Sequence, residues 1–194
     1  MNKLRKNYPG TLFLIVGNSG SGKDSIIGGV IAKYPSGLKK IYVPRRYITR
    51  EPSELEENIY VSPKEFSKLK NEGKFALSWN IYGLDYGIPI IIDDYLKKGH
   101  PVLVNVSRSI TERAREKYQR CKVIFIKVPL KATIKRIRER GREEGTQLQE
   151  RIKRAETHQD LATADFIVNN SGKLEEAIVE CLQYILKTIK SNLE

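Results

Sequence analysis

Apolar residues gather in four short runs, TLFLIV (Thr11–Val16), PVLVNV (Pro101–Val106), KVIFIKV (Lys122–Val128) and DFIV (Asp165–Val168). Each is too short for a buried helix and rich in β-branched or aromatic residues, so each reads as a strand buried on both faces, with Lys40–Val43 a weaker fifth. Between them the apolar spacing widens to a helical period at Lys23–Lys33, Ile88–Lys98, Thr111–Gln119, Lys131–Arg140, Gln147–Leu161 and Lys173–Ser191. The last segment sets Leu174, Ile178, Leu182, Ile185 and Ile189 on one face, as a helix packed on a core requires. Strands alternating with helices predict an α/β fold with a parallel sheet flanked by helices.

One region breaks the alternation. From Pro44 to Gly87 the chain carries an arginine-rich turn, a short strand at Asn58–Val61, a helix opened by Ser62-Pro63-Lys64-Glu65 and an aromatic strand at Phe75–Tyr82. Ser62 with Glu65 three residues on, and Pro at the first helical position, mark that helix start as a capping box. The region is expected to be an excursion from the sheet rather than a second domain. A further polar excursion with two glycines runs from Arg140 to Glu150.

Composition adjusts this picture in four ways. At 194 residues the chain suits one domain. No apolar run approaches a membrane span, and TLFLIV passes straight into Gly-Asn-Ser-Gly without a small-residue cleavage site, so a soluble cytoplasmic protein with no membrane partner is expected. Cys121 and Cys181 form no C-x-x-C pair and there are only two His, which argues against a disulfide framework or a zinc site and for two reduced core thiols. The net charge of +12 fits nucleic acid, an acidic surface or a small polyanion; because Lys and Arg are scattered through every expected helix, a nucleic-acid partner is not expected.

The chemistry begins after the first strand. GNSGSGKDS, Gly17 to Ser25, matches G-x-x-x-x-G-K-[ST] except at its last letter. Gly17, Gly20 and Gly22 let the backbone turn tightly and, with Asn18, Ser19 and Ser21 between them, aim N–H groups at phosphate. Lys23 adds a point charge and the following helix a positive N-terminal dipole, so these residues with Asp24 and Ser25 are the candidate ATP site. Asp24 stands where a hydroxyl usually holds Mg²⁺. A carboxylate facing a triphosphate would cost on the order of 4 kcal/mol per charge pair at 4 Å unless a cation lies between them. Asp24 is therefore expected to hold Mg²⁺, which accepts carboxylate oxygens readily. The strand that usually ends in a second acid here reads VLVNVSR, with Asn105 and Ser107 in its place, so the carboxylate is expected to have moved to the loop; a plain polar strand end is the other reading of Asn105.

GNSGSGKDS, YITREP, FALSWNIYGLDYGIP, VLVNVSR and RERGRE together resemble the ribose 1,5-bisphosphate phosphokinases, guanylate-kinase-like enzymes of phosphonate breakdown, and the resemblance includes Asp24. It covers nearly the whole chain. It implies a P-loop core at 8–43, 88–139 and 152–194, an acceptor-binding flap at 44–87 and an arginine lid at 140–151, all in one domain. The implied reaction is phosphoryl transfer from ATP, with Mg²⁺, to ribose 1,5-bisphosphate, the other readings being a guanylate or nucleoside monophosphate kinase with altered base preference and a non-catalytic guanylate-kinase-like binding module. Against guanylate kinase itself the chain departs at two points. The Glu of its FLE triplet, which reads guanine, is here Leu77, and Ser53 replaces the second Arg of T-T-R-x-x-R while Arg50 remains. A site without base-reading groups suits an acceptor that has phosphates and no base.

The resemblance also distributes roles. Arg45, Arg46 and Arg50 would take the acceptor phosphates, whose geometry guanidinium forks match, with Tyr86 as a hydrogen-bonding companion and Asn105 and Arg108 nearby. Trp79, Tyr82 and Tyr86 would line the ribose pocket or, equally, form the flap's small core. Arg136, Arg140 and Arg151 would belong to the lid, one against the adenine or donor phosphates and the others, with Lys23, on the transferring group; for the three arginines the alternative is a salt-bridged surface helix with Glu139, Glu143 and Glu144 as partners. Asn169 would touch adenine. Asp85, Asp93 and Asp94 receive no role.

Overall fold

The structure, a computed structural model, describes residues 4–51, 58–139 and 145–192. In chain order its elements are β1 (Leu12–Gly17), α1 (Lys23–Lys33), β2 (Tyr47–Ile48), β3 (Ile59–Tyr60), α2 (Pro63–Asn71), β4 (Phe75–Ile81), β5 (Leu84–Pro89), α3 (Ile92–Lys97) and β6 (Val102–Asn105). A 3-10 turn (Arg108–Ile110), α4 (Thr111–Lys117), β7 (Cys121–Lys127), α5 (Leu130–Glu139), α6 (Gly145–Thr157), β8 (Phe166–Asn169) and α7 (Leu174–Ser191) follow. They divide into two compact units, Met1–Leu12 with Lys39–Cys121, and Phe13–Leu38 with Lys122–Glu194.

In the second unit the strands run β1-β7-β8, and β8 lies parallel to β7 with Ile124 opposite Phe166 and Lys127 opposite Asn169. Phe13, Leu14, Ile15, Ile124, Phe125 and Ile126 are sealed from solvent, as strands covered on both faces must be. Helix α1 supplies Ile26 and Val30 to the core, and α7 supplies Ala177, Ile178, Cys181 and Ile185. A side chain at Gly29 would begin 2.2 Å from Ile178 Cδ1, so its absence lets α1 close on α7. Burial pushes the Cys181 thiol up to about 12, with Glu180 adding to the shift, which makes it a core residue rather than a nucleophile.

The first unit holds a second sheet, β3-β2-β5-β4, built almost wholly from the 44–87 region. β2 runs parallel to β3 and antiparallel to β5, and β4 and β5 form a hairpin from the Phe75–Pro89 pair to the Ile81–Leu84 pair. Its turn holds Tyr82 at φ 55 and Gly83 at φ 72, the two positive angles that match a tight turn to the twist of the strands. Phe75 stacks on Phe66 of α2, and the Ser62 hydroxyl accepts from Glu65 N at 3.2 Å as the capping box requires.

Two expectations are corrected here. Residues 88–91 do not open a helix: Ile88 and Pro89 end β5, and α3 begins only at Ile92. Lys40–Val43 is not a strand; only Tyr42 bridges to Val102, and Pro44 lacks the N–H that would extend the pairing. The acids without a role are structural in this unit. Asp93, 5% exposed, accepts from the Tyr118 hydroxyl at 2.6 Å and from Lys6, tying the N-terminal segment to the end of α4. Asp85 is held by Asn80 Nδ2 and offers its backbone N–H to Thr49, and Asp94 pairs with Lys97. Among the described residues no helix is long and apolar enough to cross a membrane.

Candidate active site

The second unit assembles the phosphate loop. Gly20 and Gly22 hold φ 76 and 85, angles that a side chain disfavours, and the chain then enters α1 with no side-chain cap at Gly22. The first N–H groups of α1 have no partner within the helix, and a helix start of this kind suits an anion. Lys23 folds back over the loop, donating from Nζ to the carbonyls of Gly17 at 3.0 Å and Asn18 at 2.9 Å. Its charge is thereby fixed against the loop.

Two of the three arginines expected in the lid reach this loop. Ile137 and Ile152, buried in the core, set the rotation of α5 and α6, and the residue before each then faces the loop. Arg136 Nη1 lies 3.4 Å from the Gly20 carbonyl and Arg151 Nη1 donates to the Ser19 hydroxyl at 3.1 Å. Arg140, the third, lies outside the described residues, as does Ser53. Asn18 Nδ2 donates to the His158 carbonyl at 3.0 Å, which ties the end of α6 to the same loop. Asp24 and Ser25 are exposed on the first turn of α1.

Asn169 and its neighbour Asn170 take different places. The Asn169 side chain accepts from Ser171 N at 3.1 Å and from the Ser171 hydroxyl, closing its own turn. It is Asn170, 3% exposed, that reaches the loop. A polar residue directly after a buried strand was the available signal, since such a group must find a partner.

The first unit carries the other candidate residues. Arg45 and Arg46 both turn onto Asn58, from Nη2 to its carbonyl and from Nε to its Oδ1, each at 3.3 Å. Arg46 also donates from Nη1 to the Asn105 carbonyl at 3.2 Å, fastening the flap's first turn to the end of β6, where Asn105 is 9% exposed. Arg50 and Arg108 are half-buried, the latter opening the 3-10 turn. Trp79 is buried and its ring lies parallel to that of half-buried Tyr86 with centroids 5.3 Å apart, while Tyr82 sits in the hairpin turn. Leu77 is 5% exposed in β4, opposite Ile88.

The sequence model of guanylate kinases matches residues 10–188. The chain belongs to the guanylate kinase family. Within that family it is similar to proteins named ribose 1,5-bisphosphate phosphokinase: 39% identical to that of Pectobacterium atrosepticum over 171 residues, 86% of this chain and 89% of the other. The one from Pseudomonas paraeruginosa is 35% identical over 178 residues, 91% of this chain and 95% of the other. Guanylate kinase from Anaplasma phagocytophilum shares the fold, with a TM-score of 0.65 at 18% identity over 93% of this chain and 87% of that one. Family membership fits the phosphate loop, which Arg136 of α5 and Arg151 of α6 reach. It leaves the acceptor to be argued from the residues that differ.

Proposed function

We propose that this guanylate kinase family member transfers the γ-phosphoryl group of ATP to the 1-phosphate of ribose 1,5-bisphosphate, giving 5-phospho-α-D-ribose 1-diphosphate and ADP in the cytoplasm. The observation that carries the proposal is Leu77. Where the family's base-reading Glu would stand, the chain has an apolar side chain, 5% exposed and paired with Ile88, which can accept no hydrogen bond from guanine. The names of the relatives support the same acceptor.

The chemistry asks little of the protein. The attacking atom is an oxygen of the acceptor's phosphate, already anionic at neutral pH, so no base is needed to activate it. It bonds to the γ-phosphorus as the bond to the bridging oxygen of ADP breaks. Lys23, Arg136 and Arg151 would balance the charge on the transferring group, and Arg45, Arg46 and Arg50 would hold the acceptor's phosphates. Asp24, exposed on α1, is the carboxylate that would hold Mg²⁺, an ion commonly bound by one or two carboxylates plus substrate phosphates. When bound, Mg²⁺ neutralises triphosphate charge.

The test is product analysis by ³¹P NMR with ATP, Mg²⁺ and either ribose 1,5-bisphosphate or ribose 5-phosphate. A diphosphate at C1 is expected from the first, and no turnover from the second, which lacks the 1-phosphate. No diphosphate from the bisphosphate, or equal use of both sugars, would overturn the proposal.

A further inference from the structure

Asn170 has no part in the chemistry just described, yet it is among the most enclosed polar groups of the second unit. Its backbone N–H donates to the Lys127 carbonyl at 2.8 Å, which seats it at the end of β7. From there its side chain spans 149 positions of sequence to donate from Nδ2 to the Ser21 carbonyl at 2.8 Å. Ser21 is itself 1% exposed. A Cβ at Gly22 would lie 2.6 Å from the same Nδ2, so the amide occupies the space that any side chain there would need.

The consequence follows from the peptide link between Ser21 and Gly22. In a planar trans peptide the C=O and N–H point in opposite directions. A carbonyl pinned to Asn170 turns the Gly22 N–H away from Asn170, and that N–H is one of those at the start of α1 that have no partner within the helix. We propose that Asn170 is a positioning residue for nucleotide binding: its amide fixes the Ser21–Gly22 peptide so that the Gly22 N–H faces the phosphates of ATP. This rests on the reading of Gly17–Lys23 as the ATP phosphate loop. The chemistry demands a donor, since the partner is a carbonyl; a carboxylate at 170 would set one acceptor against another.

The decisive variant is Asn170→Asp, nearly the same shape without the donor. Binding of ATP is measured directly by calorimetry, and KM for ATP and for the acceptor by turnover. At about pH 8 the variant should bind ATP about tenfold or more weakly, with KM for ATP raised in step and KM for the acceptor unchanged. On acidification the buried carboxyl, whose pKa burial raises, regains an O–H donor, so ATP affinity relative to the parent should recover towards about pH 5.5. Lys23, Lys127 and Glu180, the charged residues bonded around this spot, are common to both proteins, so the parent's own pH profile is the reference. Asn170→Ala should also bind weakly, without acid recovery. ATP affinity equal to the parent's in both variants, or an Asn170→Asp deficit that runs parallel to the parent at every pH, would overturn the inference alone. A parent that binds no ATP would overturn the loop reading and this inference with it.

Discussion

At the scale of single residues, Asp24 carries the argument about the metal. Its carboxylate stands exposed one position after Lys23, where it repels a bare triphosphate and attracts a cation. Asp24→Asn should therefore weaken Mg²⁺-dependent turnover while ATP binding measured in excess chelator holds or tightens; parent-like kinetics at limiting Mg²⁺ would remove the metal role. Arg151 makes the second residue-scale prediction. Its Nη1 donates to the Ser19 hydroxyl at 3.1 Å, a contact the shorter fork-less Lys cannot reproduce, so Arg151→Lys should lower kcat by about tenfold or more with little change in KM for the acceptor. An unchanged kcat would return Arg151 to a merely structural place on α6. The loop itself was legible from the letters because Gly20 and Gly22 occupy angles that few other residues accept. Asn170 was not, because a hydrogen bond spanning 149 positions leaves no local trace.

At the scale of elements, the group formed by half-buried Lys6 with buried Asp93 and Tyr118 is the clearest case of structure made by a few bonds. Asp93 accepts from both partners, and the ring of Tyr118 lies under the Lys6 ammonium at 5.4 Å. Tyr118→Phe removes one donor from a carboxylate 5% exposed and should cost about 1–3 kcal/mol, read as a lower urea midpoint. An unaltered midpoint would mean that Lys6 alone satisfies Asp93. The same scale shows where pattern reading succeeds and where it stops. Helix α2 was marked by its own residues, since Ser62 and Pro63 act locally. Strand β5 was hidden, because Asp85, Gly87 and Pro89 are poor strand formers and only pairing with β2 and β4 makes them extended. The β2 strand, two residues long, had too little pattern to declare itself.

At the scale of the whole molecule, both units bury groups that must stay neutral. Burial and the Asp93 carboxylate push the Tyr118 phenol well above its ordinary 10.0, and burial pushes the Cys181 thiol from 9.0 up to about 12. A group whose pKa rises on folding contributes its stability in full below its unfolded pKa and loses it as pH climbs towards the folded one. Urea midpoints should therefore be unaffected by these two groups between about pH 7 and pH 9 and fall above that, first from Cys181 and then from Tyr118, with Cys181→Ala flattening the earlier part of the fall. An identical alkaline profile in Cys181→Ala would show that its thiol is not held neutral by the fold.

The central claim concerns the acceptor: an apolar residue at 77 on a family fold that elsewhere reads guanine. Its most direct test is the ratio of kcat/KM for ribose 1,5-bisphosphate to that for GMP, measured with the same preparation and saturating Mg·ATP. The account predicts a ratio of at least about one hundred, because a base edge left without its partner loses orders of magnitude in specificity. A ratio near one, or in favour of GMP, would contradict it.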